Sequence, residues 1–328
     1  MTLQQSLIQI FGATLNDYVP ELETERHIQG YLSVFTTRDG SISLHSNTFG
    51  EGFHSSYGAW REAQEKFLRP AEIQRFSESK NINVLDICFG MGYNSGCLIE
   101  NIINQGTSLE WWGIEIDQRP IEIGIENSKF TSIWSNEVQR ILLSVSKYGR
   151  WESKRSKGQM LWGDARNMIN LLPQKLLFDL ILLDAFSPSK CPMLWSEEFL
   201  SRLAQKLAFN GRLITYSSAA AIRASLRRAG LKLGSQISLS DKKWSNGTIA
   251  INTTQEINSC NKESIWQSLS KMEEEHLLTR AAIPYRDPSG CGTIREILDR
   301  RGKEQNNCKL ERTYQWKQRW RDVIRINH

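Results

Sequence analysis

Ten residues, DICFGMGYNS (Asp86–Ser95), follow directly on the apolar pair Val84-Leu85. They comprise an acid, two glycines two apart, and then Asn94 and Ser95 where a helix could begin. Gly90 and Gly92 permit positive φ and close backbone approach, which a turn wrapped around a small molecule requires. Acids also close three later apolar runs: Glu115 and Asp117 after LEWWGI, Asp164 after MLWG, and Asp184 after FDLILL. Ionised carboxylates only accept hydrogen bonds, so a row of them suits a ligand rich in donors. Singly, each acid is equally well a helix N-cap at a strand-to-helix junction. Four along one sheet edge favour the ligand.

The elements that position these residues begin at Asn83, from where strand and helix patterns alternate. VLDIC, Leu109–Asp117, Met160–Ala165, Phe178–Phe186 and Gly211–Ser218 read as strands, and Leu231–Leu239 with Trp244–Thr253 as a closing hairpin. Helices are expected after the glycine turn, around Ile121–Asn127, over Ile133–Lys157, from an N-cap at Ser196, and over Ala219–Ala229 with Gly230 ending it. The nearly continuous apolar FDLILL indicates a strand covered on both faces. This alternation predicts an α/β fold, a mostly parallel seven-stranded sheet with helices on both faces. Residues 1–80 form an N-terminal segment: an amphipathic stretch over 1–27, a β-hairpin from Tyr31 to His45, and a helix with Trp60, Ala63, Phe67 and Leu68 on one face. The core is 81–254, and 255–328 is a basic helical extension.

Composition narrows the class. The 328 residues are 40% hydrophobic and 23% charged, and no apolar run approaches the roughly 18 residues of a membrane span. The N-terminus lacks a secretory pattern, so a cytosolic protein is expected. Six dispersed cysteines without a CxxC pair, and five scattered histidines, argue for free thiols and no metal. Arg295–His328 holds ten Lys/Arg against five Asp/Glu, which accounts for the whole net charge of +5. The basic excess belongs to the tail.

A glycine turn behind a strand fits a nicotinamide or flavin fold, a methyltransferase, or a turn that merely packs. Asp86 discriminates, because a carboxylate inside the turn would repel a pyrophosphate and suits an ammonium-bearing ligand such as S-adenosylmethionine. Glu115 can then take the ribose hydroxyls and Asp164 the adenine amino group. The fold class becomes a Rossmann-like class I S-adenosylmethionine-dependent methyltransferase.

Three stretches, Phe49–Phe67 (FGEGFHSSYGAWREAQEKF), Val84–Asn94 and Leu182–Leu200 (LLDAFSPSKCPMLWSEEFL), the last continuing into Gly211–Gly230, resemble the MnmC-type methyltransferase domain. That family completes 5-methylaminomethyl-2-thiouridine at the wobble position of certain tRNAs. The resemblance runs from about Tyr31 to Thr253. It implies that Asp184 lies beside the transferred methyl group, that Asp86, Gly90, Gly92 and Asn94 cradle the methionine part, and that Glu62 belongs to the segment closing over the cofactor. Family members usually have glycine where this chain has Cys88, which must take a negative φ or bear strain. Many fuse a flavin oxidase behind the methyltransferase. Only some 75 residues follow Thr253 here, so a separate flavin-dependent enzyme would do the trimming, or the aminomethyl substrate is made directly.

In such a reaction the amine attacks only as a free base, and Asp184 would orient it and take its proton. Phe186 and Trp195 could stack on a splayed-out uridine, or pack beneath the loop, and Lys190 could meet a phosphate. Cys191 reads as a packing residue. In the tail, Trp316, Trp320 and Val323 share one helical face, with Lys317, Arg321 and Arg325 beside it available to tRNA. An aminopropyltransferase of the spermidine-synthase kind and a non-catalytic nucleic-acid-binding relic of the fold are the competing readings.

Overall fold

The computed structural model describes residues 30–76, 81–237, 247–255 and 265–326. The helix expected over 1–27 lies outside the described residues. Strands β1 (Leu32–Thr36), β2 (Ile42–Ser46) and β3 (Glu51–Gly52) make a small antiparallel sheet. The main sheet contains β4 (Ile82–Ile87), β5 (Leu109–Glu115), β6 (Arg150–Glu152), β7 (Ser156–Trp162), β8 (Phe178–Leu183), β9 (Leu207–Thr215), β10 (Lys232–Gln236), β11 (Thr248–Ile251) and β12 (Trp266–Ser268). Their spatial order is β12-β10-β11-β9-β8-β4-β5-β7-β6. The centre, from β7 to β9, is parallel, and the remaining pairs are antiparallel.

The central strands alternate between two cores, as a period-two backbone requires. Val84, Leu180, Leu182 and Ile214 face the Tyr93–Asn104 and Asn136–Tyr148 helices, together with Leu98, Ile102, Val138 and Leu142. Leu85, Ile181, Leu183 and Leu213 face the opposite layer of Phe199, Leu203, Ile222 and Leu226. With helices on both faces, the centre of the sheet meets no water, which explains its unbroken apolar strands. Chain order reverses between β4 and β8. Above the carboxyl ends at such a point, neighbouring connections diverge and leave a crevice for ligands.

The sheet has nine strands among the described residues, not seven. The first addition corrects the helix expected over Ile133–Lys157. That helix, Asn136–Tyr148, is capped by Ser135 and stopped by Gly149 at φ 63°. Burial then alternates through Arg150, Trp151 and Glu152 and on into β7, a period of two rather than 3.6. The second addition is β12, which pairs with β10 and lays Trp266 over Gly234. The segment after 254 is therefore partly strand and joins the central sheet. Its helices Lys271–His276 and Ile294–Asn307 both begin with capping boxes, Ser270/Glu273 and Thr293/Glu296. Buried Arg223 holds the first of them through Glu273 at 2.8 Å. In the last helix, Thr313–Ile326, Trp316 is buried and stacks on His276, and Trp320 Nε1 donates to Glu275 at 2.9 Å. The tail's tryptophans pack on their own protein. The side chains of Val323 and Arg325 lie outside the described residues.

Candidate active site

The turn after β4 is shaped by positive backbone angles. Gly90 and Gly92 sit at φ 56° and 89°, and a Cβ at Gly92 would come within 2.6 Å of the Phe89 ring. Cys88 also has positive φ, at 67°, so the negative angle its side chain prefers is not adopted and the strain is borne. Such a conformation costs on the order of 1 kcal/mol for a non-glycine residue. Two amides, those of Cys88 and Phe89, reach the carbonyl of Ile114 at 2.9 and 3.4 Å, and Gly90 N donates to Glu115 Oε2 at 2.9 Å. Glu115 Oε1 accepts from the amides of Ile116 and Asp117 at 2.7 and 3.0 Å. This carboxylate thereby joins the ends of β4 and β5, and its Oε2 retains accepting capacity.

Asp86 lies fully buried under the turn. Its Oδ2 accepts from Ser95 Oγ at 2.5 Å, and Ser95 in turn accepts from Trp111 Nε1 at 2.7 Å. Oδ1 is buried with no hydrogen-bond partner among the described residues. Burial pushes the Asp86 carboxyl up to about 7, against the lowering effect of Ser95, and the nearby Asp184 and Glu115 add to the rise. Asp184, at the end of β8, is half-buried. Its Oδ2 accepts from Asn94 Nδ2 at 2.7 Å, which brings the fourth acid against the helix that starts at the glycine turn. Burial raises Asp184 to about 7 as well. Two carboxyls poised near neutrality, one retaining an unpartnered oxygen, can receive a cation or take up a proton. The turn and Asp86 together fit the ammonium-bearing end of an S-adenosylmethionine-like ligand. No group of His, Cys, Asp and Glu among the described residues could hold a metal ion.

The loop after Asp184 is braced from several directions. Ser187 N donates to Glu51 Oε2 of β3 at 3.0 Å, and Tyr216 Oη donates to the Ala185 carbonyl at 2.9 Å. Phe186 stacks on Phe49, with centroids 4.4 Å apart, and meets the edge of Phe53 at 5.0 Å. The small N-terminal sheet is thus a lid on the loop. Trp195, expected at the substrate, is fully buried and donates Nε1 to the Phe186 carbonyl at 2.7 Å. It props the loop from below and has no free face for a base. Lys190 is exposed near Gly50. Cys191 is buried with Sγ on Met193, a packing residue as expected.

Glu62 lies under the same lid. Burial pushes its carboxyl up, but Lys66 at 2.6 Å and the amide of Ser55 more than offset that and leave it below the usual range. Beside it, burial drives His54 down to about 4, which makes it a neutral ring at physiological pH. Asp164 caps the helix after β7 through the amide of Arg166 and is ion-paired to the Arg166 side chain. The N-cap reading of this acid therefore holds, alongside any role toward a ligand. Sequence reasoning missed Glu51, Phe53, Tyr216 and Arg166. The first two stand in the FGEGF stretch, but their function depends on a lid geometry that no local pattern encodes.

Residues 128–250 match a family described as S-adenosyl-L-methionine-dependent methyltransferases. The crystal structure of MNMC2 from Aquifex aeolicus superposes with a TM-score of 0.72 at 27% identity, covering 93% of this chain and 97% of that one. An uncharacterized protein of Methanocaldococcus jannaschii is 28% identical over 284 residues, 83% of this chain and 72% of its own length. The tRNA 5-methylaminomethyl-2-thiouridine biosynthesis bifunctional protein MnmC of Campylobacter hominis is 27% identical over 191 residues, 56% of this chain. The match spans only 28% of that relative's length. With the sheet order, the glycine turn and the acids beside it, these likenesses make the chain an S-adenosyl-L-methionine-dependent methyltransferase that resembles the MnmC proteins.

Proposed function

We propose that this protein methylates the aminomethyl group of a wobble uridine in tRNA, forming 5-methylaminomethyl-(2-thio)uridine. The observation that carries the reading is the 2.7 Å hydrogen bond from Asn94 to Asp184. It places the acid closing β8 directly beside the glycine turn, where an incoming nucleophile would meet the cofactor. In this reading Asp86, Gly90, Gly92 and Asn94 hold the methionine portion, Glu115 the ribose and Asp164 the adenine, while Glu62 supports the covering lid. S-adenosyl-L-methionine supplies an electrophilic methyl group carried on a sulfonium.

Asp184 is the catalytic residue. It accepts a hydrogen bond from the amine, orients the nitrogen lone pair, and takes the proton that nitrogen loses as its new bond to carbon forms. A carboxyl raised to about 7 is matched to that task near neutral pH. Asn94, on the opposite side of the carboxylate, restrains its rotation. Phe186 and Phe49 offer an aromatic wall for the uridine, and Lys190 lies in reach of its phosphate. The lid excludes water, so the reacting groups are held together without competing hydrogen bonds. Exposed Lys309, Arg312, Lys317 and Arg321 give the C-terminal extension a surface for the tRNA backbone. Such a protein works in the cytosol, with aminomethyl-uridine supplied by a separate flavin-dependent trimming enzyme or by direct synthesis.

The test is chemical. tRNA from cells lacking this protein should accumulate the aminomethyl-uridine, and purified protein with S-adenosyl-L-methionine should convert it to the methylated nucleoside on chromatography. Unchanged nucleoside content in both experiments overturns the proposal.

A further inference from the structure

Asp164, at the end of β7, is gripped by a guanidinium that is itself held from the far end of the chain. Arg166 Nε lies 3.1 Å from both Asp164 oxygens, and Nη2 lies 2.6 Å from Oδ2. Its remaining nitrogen, Nη1, donates to Asp287 Oδ2 at 2.9 Å and to the Gly292 carbonyl at 3.0 Å. Asp287 is 1% exposed, and its Oδ1 accepts from Gly292 N at 2.9 Å and Ser289 Oγ at 3.2 Å. Its amide donates to Glu198 Oε2 at 2.8 Å. The result is a linear chain of carboxylate, guanidinium and carboxylate, most of it out of water.

The geometry of that chain has a consequence for Asp164. Left alone, a carboxylate at a helix N-cap rotates about χ2 and shares its lone pairs with water. A planar guanidinium held in turn by a second carboxylate fixes the plane of the first. The Asp164 side chain keeps 28% of its surface open; with the Arg166 amide on Oδ1, Nη2 on Oδ2 and Nε shared between the two, three of its roughly four accepting sites are used and one is left for a ligand. We propose that Asp287 is a positioning residue of the cofactor site: by holding Arg166 it sets the angle at which Asp164 accepts a hydrogen bond from the adenine amino group. The C-terminal extension then contributes to base selectivity as well as to stability. The inference rests on Asp164 being the adenine-side acid.

The test compares S-adenosylhomocysteine with S-inosylhomocysteine, which carries a carbonyl where adenine carries its amino group. Dissociation constants are measured by calorimetry for the full chain and for Asp287→Asn. The wild type should prefer the adenine compound by about tenfold or more, the worth of one charge-assisted hydrogen bond. Asp287→Asn should lose most of that preference, through weaker binding of the adenine compound with little change for the inosine one. Arg166→Lys, which keeps the charge but not the fork, should do the same and carries the test if Asp287→Asn fails to fold. An undiminished preference in the variants overturns the proposal, as does a parallel loss for both ligands, which marks a purely structural role. Equal binding of the two ligands by the wild type would instead remove the adenine assignment of Asp164, and the proposal with it.

Discussion

The buried carboxyl of Asp86 should make cofactor binding a proton-releasing event. In the free protein it is held at about 7 by burial, with one oxygen on Ser95 and the other without a partner among the described residues. A cation docking against it favours the ionised form, so binding and deprotonation are linked. A group titrating at about 7 is about 3% ionised at pH 5.5 and half ionised at pH 7, so affinity should tighten about sixteenfold across that interval. At pH 6.5 the free group carries about 0.8 of a proton, which is the expected release per molecule bound. Asp184, raised for the same reason, brings the release to at most about 1.5 if the cofactor's charge reaches it as well. Calorimetry of S-adenosyl-L-methionine in buffers of different ionisation enthalpy counts these protons directly. Asp86→Asn should bind at least about tenfold more weakly at pH 7 and lose most of the pH dependence. The sign for stability is opposite. The folded protein binds this proton more tightly than the unfolded chain does, so the stabilisation it gives at low pH is lost as pH rises towards 7. Cofactor-free Asp86→Asn should therefore melt above the wild type at pH 7.5. Affinity that is flat between pH 5.5 and 7, with no buffer dependence, would refute the reasoning.

Four further outcomes are expected. Asp184→Asn should cut single-turnover methyl transfer by about 10²-fold or more, while cofactor dissociation constants stay within about threefold. Cys88→Gly should be neutral or mildly stabilising in thermal unfolding, whereas Cys88→Val, β-branched at positive φ, should cost roughly 2 kcal/mol. Glu273→Ala leaves the Arg223 guanidinium buried without its carboxylate and should cost about 3 kcal/mol in denaturant unfolding. Charge reversal at Lys309, Arg312 and Lys317 should raise KM for tRNA, leave kcat unchanged, and reduce the salt slope of binding by about one for each phosphate no longer neutralised.

Much of the core was legible because it follows local rules. FDLILL announced a strand covered on both faces, Ser196 announced a helix start, and Gly90 and Gly92 took the positive angles their type permits. Asp86, Glu115 and Asp184 converge because successive parallel strands end at one edge. What escaped was non-local. The extra strands β6 and β12 depend on edges becoming available to pair, and three-residue segments hold too few alternations to be told from helix. Trp195 was ambiguous for a related reason: its type suits either a base or a core, and only the fold decides. The lid contacts of Glu51 and Phe49 join residues well over a hundred positions apart, beyond any spacing rule. Cys88 shows the limit in the other direction, since a residue type that disfavours positive φ adopts it because the turn around it leaves no alternative.

The bracing of the Asp184 loop also bears on when activity can first appear. Glu51 and Ser187 are 136 positions apart, Tyr216 joins from 31 residues beyond Ala185, and Arg166 waits for Asp287, 121 residues later. Contacts of such long sequence separation form late, because loop closure must precede them. A nascent chain emerging from the ribosome would thus hold its sheet centre and glycine turn before Asp287 is available to Arg166. Partial products should be catalytically silent, even if they already bind cofactor.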